Sequence, residues 1–261
     1  MRFDQHIGNL FHEVIPQIKL SDLILPDEVR QICQSLIEEQ HRTDLLRAYN
    51  LAPRNRVLLI GPPGNGKTSL AEAIAEALAV PLLVVRYESV VGAFLGETAL
   101  RLKRVFEYAS TRRCLLFFDE FETIGKERGD LHETAEIKRV VSSLLMQIDN
   151  LPTHVIVIGA TNHAELLDRA AWRRFQIRMA LPSPNRARLT EWFEKFERRL
   201  NFSLGFSPDA LAQRLIELSF AEVEEFGATI FRSYLLNQPN ADLKDIVTKT
   251  LQSWSARSVI V

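Results

Sequence analysis

The 261-residue chain has only two cysteines, Cys33 and Cys114, far apart in sequence. Two isolated thiols exclude a disulfide framework and fit a reducing compartment. No window approaches about 18 consecutive apolar residues, so no membrane-spanning helix is expected. The opening stretch MRFDQHIGNLFHEVIP carries acids and no uninterrupted apolar run, so no signal peptide is expected either. Excess charge of one sign is also lacking: 32 Lys and Arg nearly balance 33 Asp and Glu. Without a basic field, neither nucleic acid nor an anionic membrane surface is an expected partner. The six histidines are scattered, with no zinc-ligand spacing and no Ser/His/Asp protease constellation. Repeats and low-complexity segments are absent. A cytoplasmic protein is the expectation.

What is present is ordinary globular material, 46% hydrophobic and 25% charged, enough for one large domain and a smaller appendage. The runs RVLLI (56–60), PLLVVR (81–86), CLLFFD (114–119), VIVIGAT (155–161) and FQIRMAL (175–181) have the length and β-branched or aromatic content of buried strands. Between them GKTSLAEAIAEALA, ETALRLKRVFEYAS and ETAEIKRVVSSLLMQID repeat apolar residues at helical spacing. Such alternation predicts βαβ units and a parallel sheet covered on both faces. After LPSPN (181–185) the strands stop, and four helical patterns follow to the C-terminus. The expected organisation is an arm over 1–20, an α/β domain over 21–182 and a small helical domain over 183–261.

The stretch GPPGNGKT follows RVLLI directly and opens a helix. Gly61, four residues, then Gly66, Lys67 and Thr68 is the phosphate-loop pattern, in the strand–loop–helix setting that gives it meaning. In the loop Pro63–Ser69 the backbone N–H groups of Gly64, Asn65, Gly66, Lys67, Thr68 and Ser69 can turn toward phosphate oxygens, and the helix N-terminus adds positive potential. Lys67 can reach β- and γ-phosphates, and Thr68 can offer its hydroxyl to Mg2+. In CLLFFDE, four apolar residues bury a strand and Asp119 and Glu120 emerge at its C-terminal end, where ligands sit in open α/β sheets. Asp119 suits Mg2+ and Glu120 suits a general base for an attacking water. In VIVIGATNH a buried strand ends in Thr161 and Asn162, the asparagine being either a neutral hydrogen-bonding group near a γ-phosphate or a turn-forming residue. Arg173 and Arg174 stand between Trp172 and Phe175, where helix gives way to strand. Within ten residues only Asp168 and Glu165 could pair with them.

Taken together, GPPGNGKT, LLFFDE, GATNH and LLDRAAWRRF resemble the AAA+ ATPases of the protein-remodelling branch, over roughly residues 20–235. The resemblance implies a P-loop three-layer sandwich, a five-stranded parallel sheet in the order 5-1-4-3-2, and a helical lid. It implies ATP and Mg2+ as cofactors, with Asn162 as the γ-phosphate sensor. SDLILPDEVR (21–30) matches the segment that holds adenine, placing Leu23 and Ile24 near the base, and Ala221 matches a position on the adenosine side. Arginines at the positions of Arg173 and Arg174 reach the γ-phosphate of a neighbouring subunit in that family, with Arg173 expected as the main finger. The expected assembly is a homo-oligomeric ring, a hexamer. The alternative is a structural pair bridging to Asp168 and Glu165.

AFLGE matches the family's first pore loop, in which Phe94, with Leu95 beside it, grips an extended polypeptide; ordinary core is the other reading of Phe94. Departures are the shortened RRF, the absence of an arginine at the start of FAEVEEF, and IDNL, which keeps only Asp149 of the family's Asp-Gly-Phe intersubunit signal. The implied function is an ATP-driven ring that unfolds, threads or remodels a protein partner. The alternative is a slow nucleotide-gated module that controls a partner enzyme. Short stand-alone bacterial chains of this kind resemble those paired with a subtilisin-like serine protease in toxin–antitoxin or phage-defence systems.

Overall fold

The computed structural model describes residues 8–90, 95–122, 131–167 and 169–257. It divides into two compact units, Met1–Pro62 with Lys67–Leu181, and Pro63–Gly66 with Pro182–Val261.

The first unit is built on strands β1 (Phe11–Val14), β2 (Arg56–Ile60), β3 (Leu82–Val85), β4 (Cys114–Phe118), β5 (Val155–Thr161) and β6 (Ile177–Ala180), in the spatial order β1-β3-β4-β5-β2-β6. Strands β2 to β6 are mutually parallel, and β1 runs antiparallel to β3. The five expected strands are therefore present, but the sheet is six-stranded and mixed. The addition comes from the N-terminal arm, where Phe11 pairs with Val85 and Val14 with Leu82. Strand β4 and strand β5 are buried along their whole length, as expected of central strands with both faces covered.

Alternation of side chains divides the core in two. Leu58, Leu116, Phe118 and Val157 face one side, packed against Leu102, Val105 and Phe106 of helix Leu95–Ser110 and Leu144 and Ile148 of helix Leu131–Asn150. Val57, Leu59, Phe117 and Ile158 face the other, against Cys33 and Leu36 of helix Asp27–His41 and Leu70 and Ile74 of helix Lys67–Ala77.

The second unit carries helices Arg186–Leu200, Pro208–Arg214, Phe220–Leu236 and Leu243–Arg257 around Phe193, Phe226, Ile230 and Val247. Each of the first three has a side-chain cap: Asn185 accepts from Arg188 N–H, Ser207 from Ala210 N–H, and Ser219 from Glu222 N–H in a reciprocal capping box. Polar caps satisfy N–H groups that a helix start leaves without partners. Among the described residues no helix is long and apolar enough to cross a membrane.

Candidate active site

Strand β2 ends at Ile60, and the loop that follows begins with a glycine that nothing else could replace. A Cβ on Gly61 would lie 2.1 Å from the carbonyl oxygen of Leu181. The backbone of Gly61 instead stays close enough for its N–H to donate to Thr161 O at 3.2 Å. Gly66, just before the helix, has φ +82 with open space around it, so its requirement is conformational and not steric. These two glycines turn the chain from the sheet edge into helix Lys67–Ala77.

Lys67 is 7% exposed. Its ammonium donates to Gly61 O at 2.7 Å, Pro62 O at 3.0 Å and Asn162 Oδ1 at 2.7 Å. Burial pushes the Lys67 ammonium below the usual lysine range, and the nearby Asp119 and Glu122 carboxylates counter part of that. Thr68 donates its hydroxyl to Asp119 Oδ2 at 3.3 Å. A hydroxyl and a carboxylate oxygen side by side are hard donors of the kind Mg2+ takes, with water and phosphate oxygens supplying the rest.

At the end of β4 the chain makes a tight turn. Glu120 sits at φ +45, a left-handed conformation that side-chain-bearing residues rarely adopt. Its N–H donates to Asp119 Oδ1 at 2.9 Å, and the next N–H, of Phe121, reaches Ala160 O at 2.8 Å. The Phe121 ring is buried edge-on against Phe118 and Phe175. This anchor holds the turn, leaving Asp119 and Glu120 exposed and drawing Glu122 inward.

Glu122 was not anticipated. It is 5% exposed, accepts from the Asn162 N–H through Oε1 at 3.2 Å, and has a buried Oε2 with no hydrogen-bond partner among the described residues. The only sequence signal for it is a third acid two positions beyond the DE pair.

The anticipated residues separate into groups. Lys67, Thr68, Asp119 and Asn162 come together, with Glu120 adjoining them. Pro63, Gly64, Asn65 and Gly66 belong to the second unit, where Gly64 O accepts from Ala221 N–H at 3.0 Å and Asn65 Oδ1 from Phe220 N–H at 3.4 Å. Ser69 follows Thr68 in the first turn of its helix and is half-buried, as are Leu23 and Ile24. Leu23 leans on the core face that carries Val57 and Leu59. Phe94 lies outside the described residues, and Leu95 opens helix Leu95–Ser110.

The two arginines stand elsewhere. Both close helix Arg169–Arg174, which leads into β6. Arg174 donates from Nε to Asp149 Oδ2 at 3.1 Å, and Arg56 pairs with the other carboxylate oxygen of Asp149 at 2.7 Å. Arg56 begins β2, so this cluster marks the N-terminal edge of the sheet, the opposite edge from Gly61. Arg173 is exposed and has no hydrogen-bond or ion-pair partner among the described residues. The two arginines thus differ: one is tied within the chain, through a residue 25 positions away, and one is not.

Residues 57–183 match the family described as ATPase family associated with various cellular activities (AAA). An uncharacterized AAA family ATPase of Sinorhizobium fredii is 33% identical over 237 residues, covering 90% of this chain and 71% of the relative. The chain belongs to the AAA family of ATPases. It is accordingly an ATP hydrolase with an ATP-binding P-loop domain. Other AAA relatives include a putative 26S proteasome regulatory subunit homologue of Methanothermobacter thermautotrophicus, 32% identical over 82% of this chain and 58% of the relative. A Cell division cycle protein 48 homologue of Archaeoglobus fulgidus is 29% identical over 80% of this chain and 30% of its own length. The chain thus spans little more than half of the proteasome-subunit homologue and under a third of the other.

Proposed function

We propose that this AAA ATPase works as a ring of identical subunits, a hexamer, whose hydrolysis of Mg-ATP drives the remodelling or threading of a protein partner. The observation that carries this reading is the position of the arginines. From Arg56 to Gly61 the chain climbs the full length of β2, about 16 Å at some 3.3 Å per residue. Arg174 is tied at the lower end by Asp149, whereas Lys67 and Asn162 meet at the upper end. A finger so placed serves a neighbour's nucleotide and not its own.

In this reading Lys67 and the loop N–H groups of residues 64–69 hold the phosphates. Leu23 and Ile24 meet the adenine base. Thr68 and Asp119 hold Mg2+, which supplies charge neutralisation at the phosphates. Glu120 accepts a proton from the attacking water, and Asn162 donates from its carboxamide to the γ-phosphate or that water. Arg173, exposed and without an ion-pair partner among the described residues, is the main finger. Phe94 and Leu95 grip the polypeptide in the central channel.

The relatives include putative 26S proteasome regulatory subunit homologues, which supports a protease as the partner. We infer a subtilisin-like serine protease in a cytoplasmic toxin–antitoxin or phage-defence pair. A second reading, a slow nucleotide-gated module that controls a partner enzyme without processive unfolding, is favoured by the Arg174–Asp149 pair, which withholds one of the two fingers. Turnover measured against protein concentration tests the shared premise. Activity per subunit should rise with concentration as sites are completed by neighbours, and a flat profile down to monomer would sink both readings.

A further inference from the structure

Strand β5 ends at Thr161. The next N–H, that of Asn162, is taken up by the Glu122 side chain and not by a neighbouring strand. Asn162 in turn accepts from the Lys67 ammonium through Oδ1 at 2.7 Å. Three residues from three different segments are therefore linked in one line: ammonium to carboxamide, and backbone amide to carboxylate.

The geometry points to Glu122 as a positioning residue for hydrolysis: its carboxylate fixes the Asn162 backbone and so aims the Asn162 carboxamide along the phosphate loop. This rests on the reading of Asn162 given above.

Glu122 is 5% exposed, and its Oε2 is buried without a hydrogen-bond partner among the described residues. Burying a carboxylate with half its acceptors unused is unfavourable, and an apolar residue of the same size would avoid that cost. The nearby Lys67 ammonium offsets part of that cost, and what the acid adds beyond it is its place. It follows Phe121, whose ring and N–H lock the turn to β5, so the carboxylate is carried on a rigid support. An asparagine side chain at the end of a strand can rotate about its own bonds. Fixing the backbone N–H removes the additional freedom of the peptide that bears it, and a sensor that must reach a phosphate oxygen tolerates little of that freedom.

The test is a cycle of variants at Glu122 and Asn162. Glu122→Leu keeps the volume and removes the acceptor. We expect kcat for ATP to fall at least tenfold with KM within threefold of the parent. Glu122→Gln keeps an acceptor oxygen for the Asn162 N–H and should retain kcat within threefold. Asn162→Ala should lower kcat by itself, and Glu122→Leu added to it should change kcat by less than twofold, because the carboxylate positions through that asparagine; its attraction for the Lys67 ammonium is lost equally in Glu122→Gln, which controls for it. Hydrogen exchange in the nucleotide-free protein gives a readout independent of turnover: the Asn162 amide should be protected in the parent and in Glu122→Gln, and exchange at least tenfold faster in Glu122→Leu. If Glu122→Leu does not fold, Glu122→Asp serves instead. It withdraws the acceptor by about 1.5 Å, one carbon–carbon bond, and should show the same fall in kcat and protection. Losses at the two positions that multiply, or unchanged exchange at Asn162, would overturn the role of Glu122 while leaving the site reading intact. Full hydrolysis in Asn162→Ala would overturn both.

Discussion

Glu120 occupies a left-handed backbone conformation, φ +45, that costs an L-residue about 1–2 kcal/mol. The cost is met because Phe121 is locked into the core and onto β5, so the turn has no freer alternative. Strain at a residue proposed as the base is consistent with a site that fixes its groups before substrate arrives. Glycine carries no such strain, so the ordinary preference for alanine over glycine should be reversed here. Glu120→Gly should be more stable than Glu120→Ala by about 1 kcal/mol, read from thermal or urea unfolding, and both should lose hydrolysis by about a hundredfold or more. Alanine proving the more stable would mean that the turn relaxes at no cost. The cysteines allow a second residue-scale expectation. Burial pushes Cys33 and Cys114 from 9.0 up to about 12, because a thiolate would be stranded among Leu36, Leu116 and their neighbours. The fold retains these protons longer than the unfolded chain does, so stability owed to the thiols is full below pH 9 and declines as pH rises from 9 toward 12. At pH 8 neither cysteine should react with an aromatic disulfide reagent until the chain unfolds; rapid labelling of the native protein would contradict the burial of both.

Among the elements, the phosphate loop shows how two glycines of one motif are required for different reasons. Gly61→Ala would drive a Cβ into the Leu181 carbonyl at 2.1 Å, and backbone on both sides comes from paired strands that cannot give way. The expected loss is about 4 kcal/mol or more, at the far end of what single substitutions do, with nucleotide binding lost as well. Gly66→Ala meets nothing within 4 Å and should cost only the left-handed strain, about 1–2 kcal/mol. Urea unfolding of the two variants distinguishes them, and equal losses would refute the steric account of Gly61. These elements were legible in the sequence where the information is local. Strand β2 and helix Phe220–Leu236 fall on RVLLI and FAEVEEFGATIFRSYLL because continuous apolar runs and helical periodicity need no partner to be read. The pattern SPDALAQRLIEL, by contrast, gives a helix only to Arg214. Strand β1 was hidden: in FHEV only Phe11 is buried, and pairing with β3 defines it as a strand. The site divides in the same way. GPPGNGKT and DE are consecutive residues, whereas the Asn162–Glu122 contact spans 40 positions and the Arg56–Asp149 pair 93. Nothing in the local pattern announces such contacts.

For the whole molecule, the two ends of β2 set the terms. One end carries the loop that holds Lys67, and the other holds Arg56, Asp149 and Arg174 in one ion-paired cluster. Arg173, next to that cluster and exposed, is free to meet another copy. If Arg173 completes a neighbour's site, as proposed, Arg173→Ala chains keep their own phosphate loop and should bind ATP with parental affinity while hydrolysing slowly. A finger of this type is worth about 10³–10⁵ in rate in related nucleotide hydrolases. Lys67→Ala chains should fail for the opposite reason: they carry an intact Arg173 but a loop that no longer holds phosphate. Mixing the two inactive proteins creates interfaces in which the loop of the Arg173→Ala chain faces the finger of the Lys67→Ala chain, and those interfaces lack nothing. Hydrolysis should return on mixing and peak near equal amounts, once exchange of subunits is verified by energy transfer between labelled copies. A control with Arg174→Ala in place of Arg173→Ala separates the two arginines: losing its ion pair with the half-exposed Asp149 should lower stability by at most about 1 kcal/mol. If Arg173 is the main finger, Arg174→Ala should also retain more turnover by itself than Arg173→Ala does. No recovery at any ratio, with exchange proven and with single inactive subunits shown not to silence a ring of parental ones, would place the arginines within their own subunit and remove the ring from the mechanism.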